Sequence, residues 1–168
     1  MNPAEHTRRM GVGMMVLAWL VALGLGVLFF GDALERQVNP NRNPQAGASP
    51  KEVILKRNKY GHYVATGAIN GQPVVFMLDT GATGVAIPEN IARKLGLRGG
   101  RAFQTQTANG TAVSYAVTLD RVGLGGIELR DVRAAIAPGL QMDQVLLGMS
   151  FLKHIEFTQR GNTLILRQ

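Results

Sequence analysis

Asp79 ends an apolar, β-prone run, Val74-Val75-Phe76-Met77-Leu78, and opens a turn of small residues, Thr80-Gly81-Ala82-Thr83. The residues beyond the turn are again apolar: Val85, Ala86 and Ile87. A carboxylate in such surroundings is costly to ionise unless it is hydrogen-bonded or does chemistry. The plain alternative is an Asp that caps a β-turn. Other chemistries find less support. The chain has 0 Cys, which excludes thiol catalysis, disulfides and Cys-based metal sites. His6, His62 and His154 are dispersed without ligand spacing, so neither a metal nor another cofactor is expected. Ser114 and Ser150 lack the Gly-x-Ser-x-Gly context of a serine hydrolase.

The run Asp79-Thr80-Gly81-Ala82, delivered by an apolar strand, resembles the active-site signature of aspartic proteases, and of the retropepsin-like branch in particular. The resemblance implies that Asp79 is half of a catalytic dyad, that the Thr80 hydroxyl bonds across to a partner chain, and that Gly81 lets the backbone turn tightly. Leu146-Leu147-Gly148 matches the apolar-apolar-Gly segment that passes beside the Asp loop in this family and, with Thr80, Gly81 and Ala82, would support it. Ala82 stands where pepsin-like relatives carry a hydroxyl, so an active dyad is expected to work best at mildly acidic pH. A Gln- and Thr-rich hairpin centred on residues 108–111 occupies the place of the flap that closes over substrate. Its tip, Ala108, Asn109, Gly110 and Thr111, together with Thr83, is expected to meet substrate. The implied fold is all-β: a closed retropepsin-like barrel lobe with one or two short helices, over residues 51–168.

Such chemistry needs two carboxylates sharing a proton, one acting as base on a water and the other polarising the scissile carbonyl. Asp120, Asp131 and Asp143 are not followed by the motif, and no internal repeat supplies a second lobe. An active enzyme would therefore be a homodimer giving one Asp79 per chain across a two-fold axis.

The elements that must position Asp79 can be read in order. Residues 1–10 are polar and carry Arg8 and Arg9, before an uncharged run from Gly11 to Phe30. Twenty helical residues span about 30 Å, the thickness of a bilayer core. The positive-inside bias places residues 1–10 in the cytoplasm and the rest outside; the resemblance to bacterial, membrane-anchored members of the retropepsin-like group implies that this is the periplasm, beyond an inner membrane. The run exceeds a signal-peptide core and lacks a clear cleavage site, which favours an uncleaved anchor over a cleaved signal. Ala18, Ala22 and Gly26 form a small-residue row suited to helix–helix contact. Residues 31–50, rich in Asn, Pro, Gly and Ala, read as a flexible linker. Glu52–Lys56 reads as an edge strand. The segments 62–69 and 72–78 around Asn70-Gly71 read as a hairpin with a type I′ turn, and Pro88–Gly96 as a short helix. The segments 102–107 and 112–119 read as the second hairpin, 132–137 as a strand, 149–153 as a helical turn, and 155–158 and 163–166 as closing strands.

Composition agrees with short strands and many turns: 46% apolar residues, 21 Gly, few aromatics. The net charge of +7 is scattered, with no aromatic–basic interleaving, so anionic lipid is a better partner than nucleic acid. The reading is a single-pass, membrane-anchored, homodimeric aspartic endopeptidase acting on an extended peptide or protein substrate. The alternative is a catalytically inactive module of the same fold that binds a partner protein or peptide.

Overall fold

The computed structural model describes residues 3–107 and 110–168. The element order is α1 (Pro3–Val38), β1 (Gln45–Ala46), β2 (Glu52–Lys56), β3 (Tyr63–Ile69), β4 (Gln72–Leu78), β5 (Val85–Pro88), α2 (Glu89–Lys94), β6 (Ala102–Thr107), β7 (Gly110–Leu124), β8 (Ile127–Ala137), β9 (Val145–Leu147), α3 (Met149–Leu152), β10 (Glu156–Arg160) and β11 (Thr163–Arg167). The chain divides into two units, residues 1–37 and 38–168.

The first unit is helix α1. It is long and apolar enough between Met10 and Val38 to cross a membrane. Its large apolar side chains from Met10 to Leu34, Leu17, Trp19, Leu23, Leu28 and Phe29 among them, are exposed. The helix does not stop at Phe30 but continues through the polar Asp32–Arg36 turn, where the two charges pair at 2.6 Å.

The second unit is a β-barrel closed by six strands. The order is β3-β4-β9-β5-β8-β7, and β7 returns to β3 through Ala68↔Gly123 and Ile69↔Val122. Antiparallel hairpins make up most of the ring, while β4–β9 and β5–β8 run parallel. Alternation along these strands, which switches face where β7–β8 pairing is interrupted at Asp120 and Asp131, sends Ile69, Phe76, Ile87, Leu119, Leu124, Ile127 and Leu147 inward, all fully buried, with Phe151 of α3. The Asn70-Gly71 turn has the expected form, with φ of 50° and 81°. Gly67 of β3 is a matter of room: a Cβ there would lie 2.7 Å from the Phe76 ring. The second hairpin is longer than the sequence pattern suggests. β7 pairs with β6 over its first part, lies along β8 from Tyr115 to Leu124, and ends against β3.

A second sheet, β1-β2-β11-β10, gathers the remaining strands. Two expectations fail here. β2 is not an edge strand but lies between β1 and β11. Residues 39–50 are not a free linker. Asn39 and Asn41 are buried. The Asn41 amide donates to the carbonyls of Lys56 (2.9 Å) and Val64 (2.7 Å), its oxygen accepts the Lys56 N–H (2.7 Å), and its own carbonyl accepts the Thr66 N–H (3.0 Å). Farther along, Glu52 accepts the Ala48 N–H and the Arg167 Nε–H, which hold its carboxyl below the usual carboxylate range, the guanidinium first. A segment whose composition suggests disorder is thus ordered by partners far away in sequence.

Candidate active site

Asp79 follows the last residue of β4 and lies half-buried. β4 is held on one side by β3 over Tyr63–Ile69 and on the other by β9 through Phe76↔Val145, Met77↔Leu146 and Leu78↔Leu147. The carboxylate is therefore carried at the end of a strand paired on both flanks. The Asp79 N–H continues the ladder by donating to the Leu147 carbonyl at 3.2 Å. The turn then closes on itself. The Gly81 N–H donates to Asp79 Oδ1 at 2.8 Å, and the Ala82 N–H donates to the Asp79 carbonyl at 3.2 Å. One carboxylate oxygen is thereby fixed by a backbone donor, a charge-assisted bond that orients the side chain. Thr80, Gly81 and Thr83 are exposed, and Ala82 is half-buried.

Leu146, Leu147 and Gly148 come to this loop as the sequence pattern suggests. Leu147 is fully buried, and Leu146 pairs with Met77 on one side and Ala86 on the other. The β9 segment is thus wedged between the strand that enters the Asp79 loop and the strand that leaves it. Gly148 explains its own identity: an added Cβ would fall onto the carbonyl oxygens of Ala82 and Gly84. Just past it the Met149 N–H donates to the Ala82 carbonyl at 2.8 Å.

Ser150 completes the brace, a role that sequence reasoning missed. Its Oγ accepts the Val85 N–H at 3.0 Å and donates to the Arg133 carbonyl at 2.8 Å. One hydroxyl therefore ties the exit of the Asp79 loop to β8. No nucleophile motif surrounds it, and a hydroxyl two residues past Leu-Leu-Gly is too common a signal to have drawn attention.

The hairpin β6–β7 carries the other expected residues. Ala108 and Asn109 lie outside the described residues. Gly110 adopts φ of 105°, and its carbonyl accepts the Thr107 hydroxyl at 2.7 Å. The Thr111 hydroxyl donates to Gln106 Oε1 at 3.0 Å. These bonds stay within the hairpin, so the two groups of predicted site residues are built separately: one set on the braced loop, the other on an exposed arm. β6 is the outermost strand of its sheet, and Phe103 and Val113 are exposed on the hairpin. Among the described residues no three His, Asp or Glu side chains gather as a metal site would require.

An Asp-Thr-Gly turn with its Asp half-buried, carried by a hairpin strand and braced by an apolar-apolar-Gly segment within a closed barrel, defines a retropepsin-like aspartic protease fold. The chain belongs to the family described as "gag-polyprotein putative aspartyl protease", whose model matches residues 65–154, more than half of the sequence. It is similar to the crystal structure of a retropepsin-like aspartic protease from Rickettsia conorii, with 31% identity and a TM-score of 0.60, covering 72% of this chain and 99% of that one. Two curated relatives are uncharacterized proteins. One, encoded in the cobV 5' region of a Sinorhizobium species, is 36% identical over 112 residues, 65% of this chain and 48% of the relative. The other, from Rickettsia prowazekii (strain Madrid E), is 32% identical over 108 residues, 62% of this chain and 46% of the relative. The chain thus spans about half the length of the curated relatives it matches.

Proposed function

We propose that the protein is an aspartic endopeptidase, anchored in a membrane through residues 11–30 and active as a homodimer. The observation that carries this is the Asp79 turn. A carboxylate stands half-buried at the end of a doubly paired strand, one oxygen held by the Gly81 N–H, and the loop clamped by Leu147, Gly148 and Met149. Catalysis by one such group needs a second across a two-fold axis. Two Asp79 side chains would share one proton, because like charges in contact cannot both ionise. The ionised one takes a proton from water, the water oxygen attacks the scissile carbonyl carbon, and the protonated one donates a hydrogen bond to the carbonyl oxygen. Breakdown of the tetrahedral species returns a proton to the leaving amine, and no covalent enzyme intermediate forms.

In this reading Thr80 bonds across the dyad, and Gly81, Ala82, Leu146, Leu147 and Gly148 keep the loop in place. The hairpin β6–β7 closes over an extended peptide, with Thr83 and the 108–111 tip facing it. Residues 1–10 stay in the cytoplasm, and the barrel stands outside. Similarity to the Rickettsia conorii aspartic protease supports the class, and the pairing of strands around Asp79 supports the residue.

The test is a peptide-library cleavage assay from pH 4 to 7 with the full chain in bilayers, at several protein densities, beside its Asp79→Asn form. Cleavage that is absent in Asp79→Asn and rises more steeply than linearly with density supports the proposal. A correctly folded chain that cuts nothing, yet retains peptides, identifies a binding module of the same fold instead.

A further inference from the structure

The turn between β2 and β3 is fastened beside the residue at which the chain enters the barrel. Asn58 organises it. Its Oδ1 accepts the Tyr60 and His62 N–H groups, both at 2.9 Å. The Asn58 N–H donates to the His62 carbonyl at 2.8 Å, and the Gly61 N–H donates to the Asn58 carbonyl at 3.1 Å. Gly61 takes up the left-handed position, with φ of 88°. The Asn58 Nδ2 donates in turn to the Val38 carbonyl at 3.0 Å. Val38 is the last residue of α1 and the first of the second unit.

What this turn presents is basic and aromatic. Tyr60 is 62% exposed, more than any other large apolar side chain described in the second unit. The Lys59 ammonium lies 5.0 Å from the centre of its ring. Lys56 is exposed, and Arg57 is half-buried with its guanidinium 5.3 Å from the Tyr63 ring. The Arg57 N–H donates to the Asn162 carbonyl at 2.8 Å, which brings the Arg160-Gly161-Asn162 turn alongside. Residues 56–62 and 159–163 carry Lys56, Arg57, Lys59 and Arg160 and contain no Asp or Glu. A tyrosine held out from the barrel by a tight turn adds nothing to the packing of the core. Among cations it has the composition of a membrane interface, where the ring sits at headgroup level and Lys and Arg meet anionic phosphates.

Chain length sets how far this turn can stand from a bilayer. With residues 11–30 in the bilayer core, eight residues lead from Phe30 to Val38, all of them helical. They rise about 12 Å, and any tilt shortens that height. The headgroup layer on each side is about 5–8 Å deep. Val38 then stands about 4–7 Å above the headgroups, a gap that a Tyr or Lys side chain can cover.

We infer that residues 56–62 form a membrane-surface contact, in which Lys56, Arg57 and Lys59 bind the headgroups of anionic lipid and Tyr60 enters the interface. The lipid belongs to the same bilayer that holds α1. This rests on the anchor proposed above and is independent of catalysis.

The chain has 0 Cys, so a single cysteine can carry a fluorescent probe in the full chain, reconstituted in vesicles whose lipids bear a nitroxide quencher on the headgroup. His62→Cys puts the probe on the turn without removing a side-chain bond. Gln72→Cys puts it at the far end of the β3–β4 hairpin, about 20 Å away along the strand. In vesicles of phosphatidylglycerol and phosphatidylcholine, quenching should be several-fold stronger at 62 than at 72. At 62 it should fall at least about two-fold in pure phosphatidylcholine and in high salt, because headgroup attraction is electrostatic and screened. Lys56→Glu with Lys59→Glu should lower it as much, and Tyr60→Ala should lower it less, with unchanged melting curves by circular dichroism.

Equal quenching at 62 and 72 overturns the inference, as does quenching at 62 that ignores lipid charge, salt and the two lysines. Inorganic phosphate that abolishes the quenching, where chloride of equal ionic strength does not, marks a site for a soluble anion and overturns it too. Alkaline carbonate washing separates this surface from the anchor. A chain that washes off the vesicles has no anchor, and both readings fall. A chain that stays, with equal quenching at the two positions, keeps the anchor and loses the surface. Cleavage of peptides by the same vesicles stands or falls separately, with Asp79→Asn.

Discussion

Two hairpins of this barrel are written with the same turn signal and built for different ends. β3–β4 turns at Asn70-Gly71, with Ile69 paired to Gln72; β6–β7 also carries an Asn-Gly, but its Gly110 is already in the ladder, opposite Thr107. The first is paired on both outer sides, β3 to β7 and β4 to β9, and its Phe76 and Ile69 are fully buried. The second has one free side at β6 and exposes Phe103 and Val113. A turn residue sets where a chain reverses, not how firmly the reversed strands are held. Neighbouring strands decide that. The hairpin with neighbours on both flanks delivers Asp79 at its end, where a carboxylate must be placed accurately. Under the proposed function, the hairpin with a free side is the part that would move to admit and cover a substrate.

The largest expected effect separates chemistry from structure. Asp79→Asn should lower cleavage by about 10²–10⁴-fold, the usual worth of a positioned acid–base group. The amide oxygen can still accept the Gly81 N–H, so thermal unfolding of the barrel should move little. A large drop in melting temperature would show that Asp79 is a structural turn residue instead. Next comes the contrast between the hairpins. Phe76→Ala should destabilise the barrel by about 3–5 kcal/mol, as loss of a buried ring does. Phe103→Ala should stay within about 0.5 kcal/mol, as at an exposed site, while lowering cleavage by weakening substrate capture. Both are read by denaturation followed with circular dichroism. Equal destabilisation by the two would erase the difference between the hairpins.

How much of this was legible follows the range of the forces involved. Turn chemistry is local, so Asn70-Gly71, the short helix between Pro88 and Gly96, and the strand that bears Asp79 are visible in the sequence. Leu146-Leu147-Gly148 is visible as a motif, and its packing between β4 and β5 follows from the fold. What stays hidden depends on distant partners. Asn41 sits among Asn and Pro residues that resemble a disordered stretch, yet its side chain bonds Lys56 and Val64. Closure of the barrel rests on two residue pairs between β3 and β7, which no local pattern announces. Ser150 links Val85 to Arg133, again across the fold.

The brace around Asp79 sharpens the comparison further. Gly148 has φ of −95° and ψ of −166°, a conformation open to any residue, so the obstacle to a side chain is contact alone. Gly148→Ala would drive its methyl group into the Ala82 and Gly84 carbonyls, and should destabilise by about 1–3 kcal/mol, in the range of overpacked cores. Because those carbonyls belong to the Asp79 loop, cleavage should fall more than stability does. A variant that loses stability but keeps full activity per folded molecule would show that the loop tolerates displacement.

Ser150→Ala is the smallest change and the most discriminating. It leaves the Val85 N–H and the Arg133 carbonyl without their shared partner, which should destabilise by about 1–3 kcal/mol if they stay buried and less if water reaches them. No charge is altered and nothing near the carboxylate is removed, so a role limited to stability predicts normal cleavage once the protein is folded. A positioning role predicts a lower kcat with KM little changed, and recovery in Ser150→Thr, whose hydroxyl can make the same two bonds. No difference in kcat between Ser150→Ala and the parent would confine the brace to Leu147, Gly148 and Met149. The exit of the Asp79 loop would then be as free to move as the exposed β6–β7 hairpin.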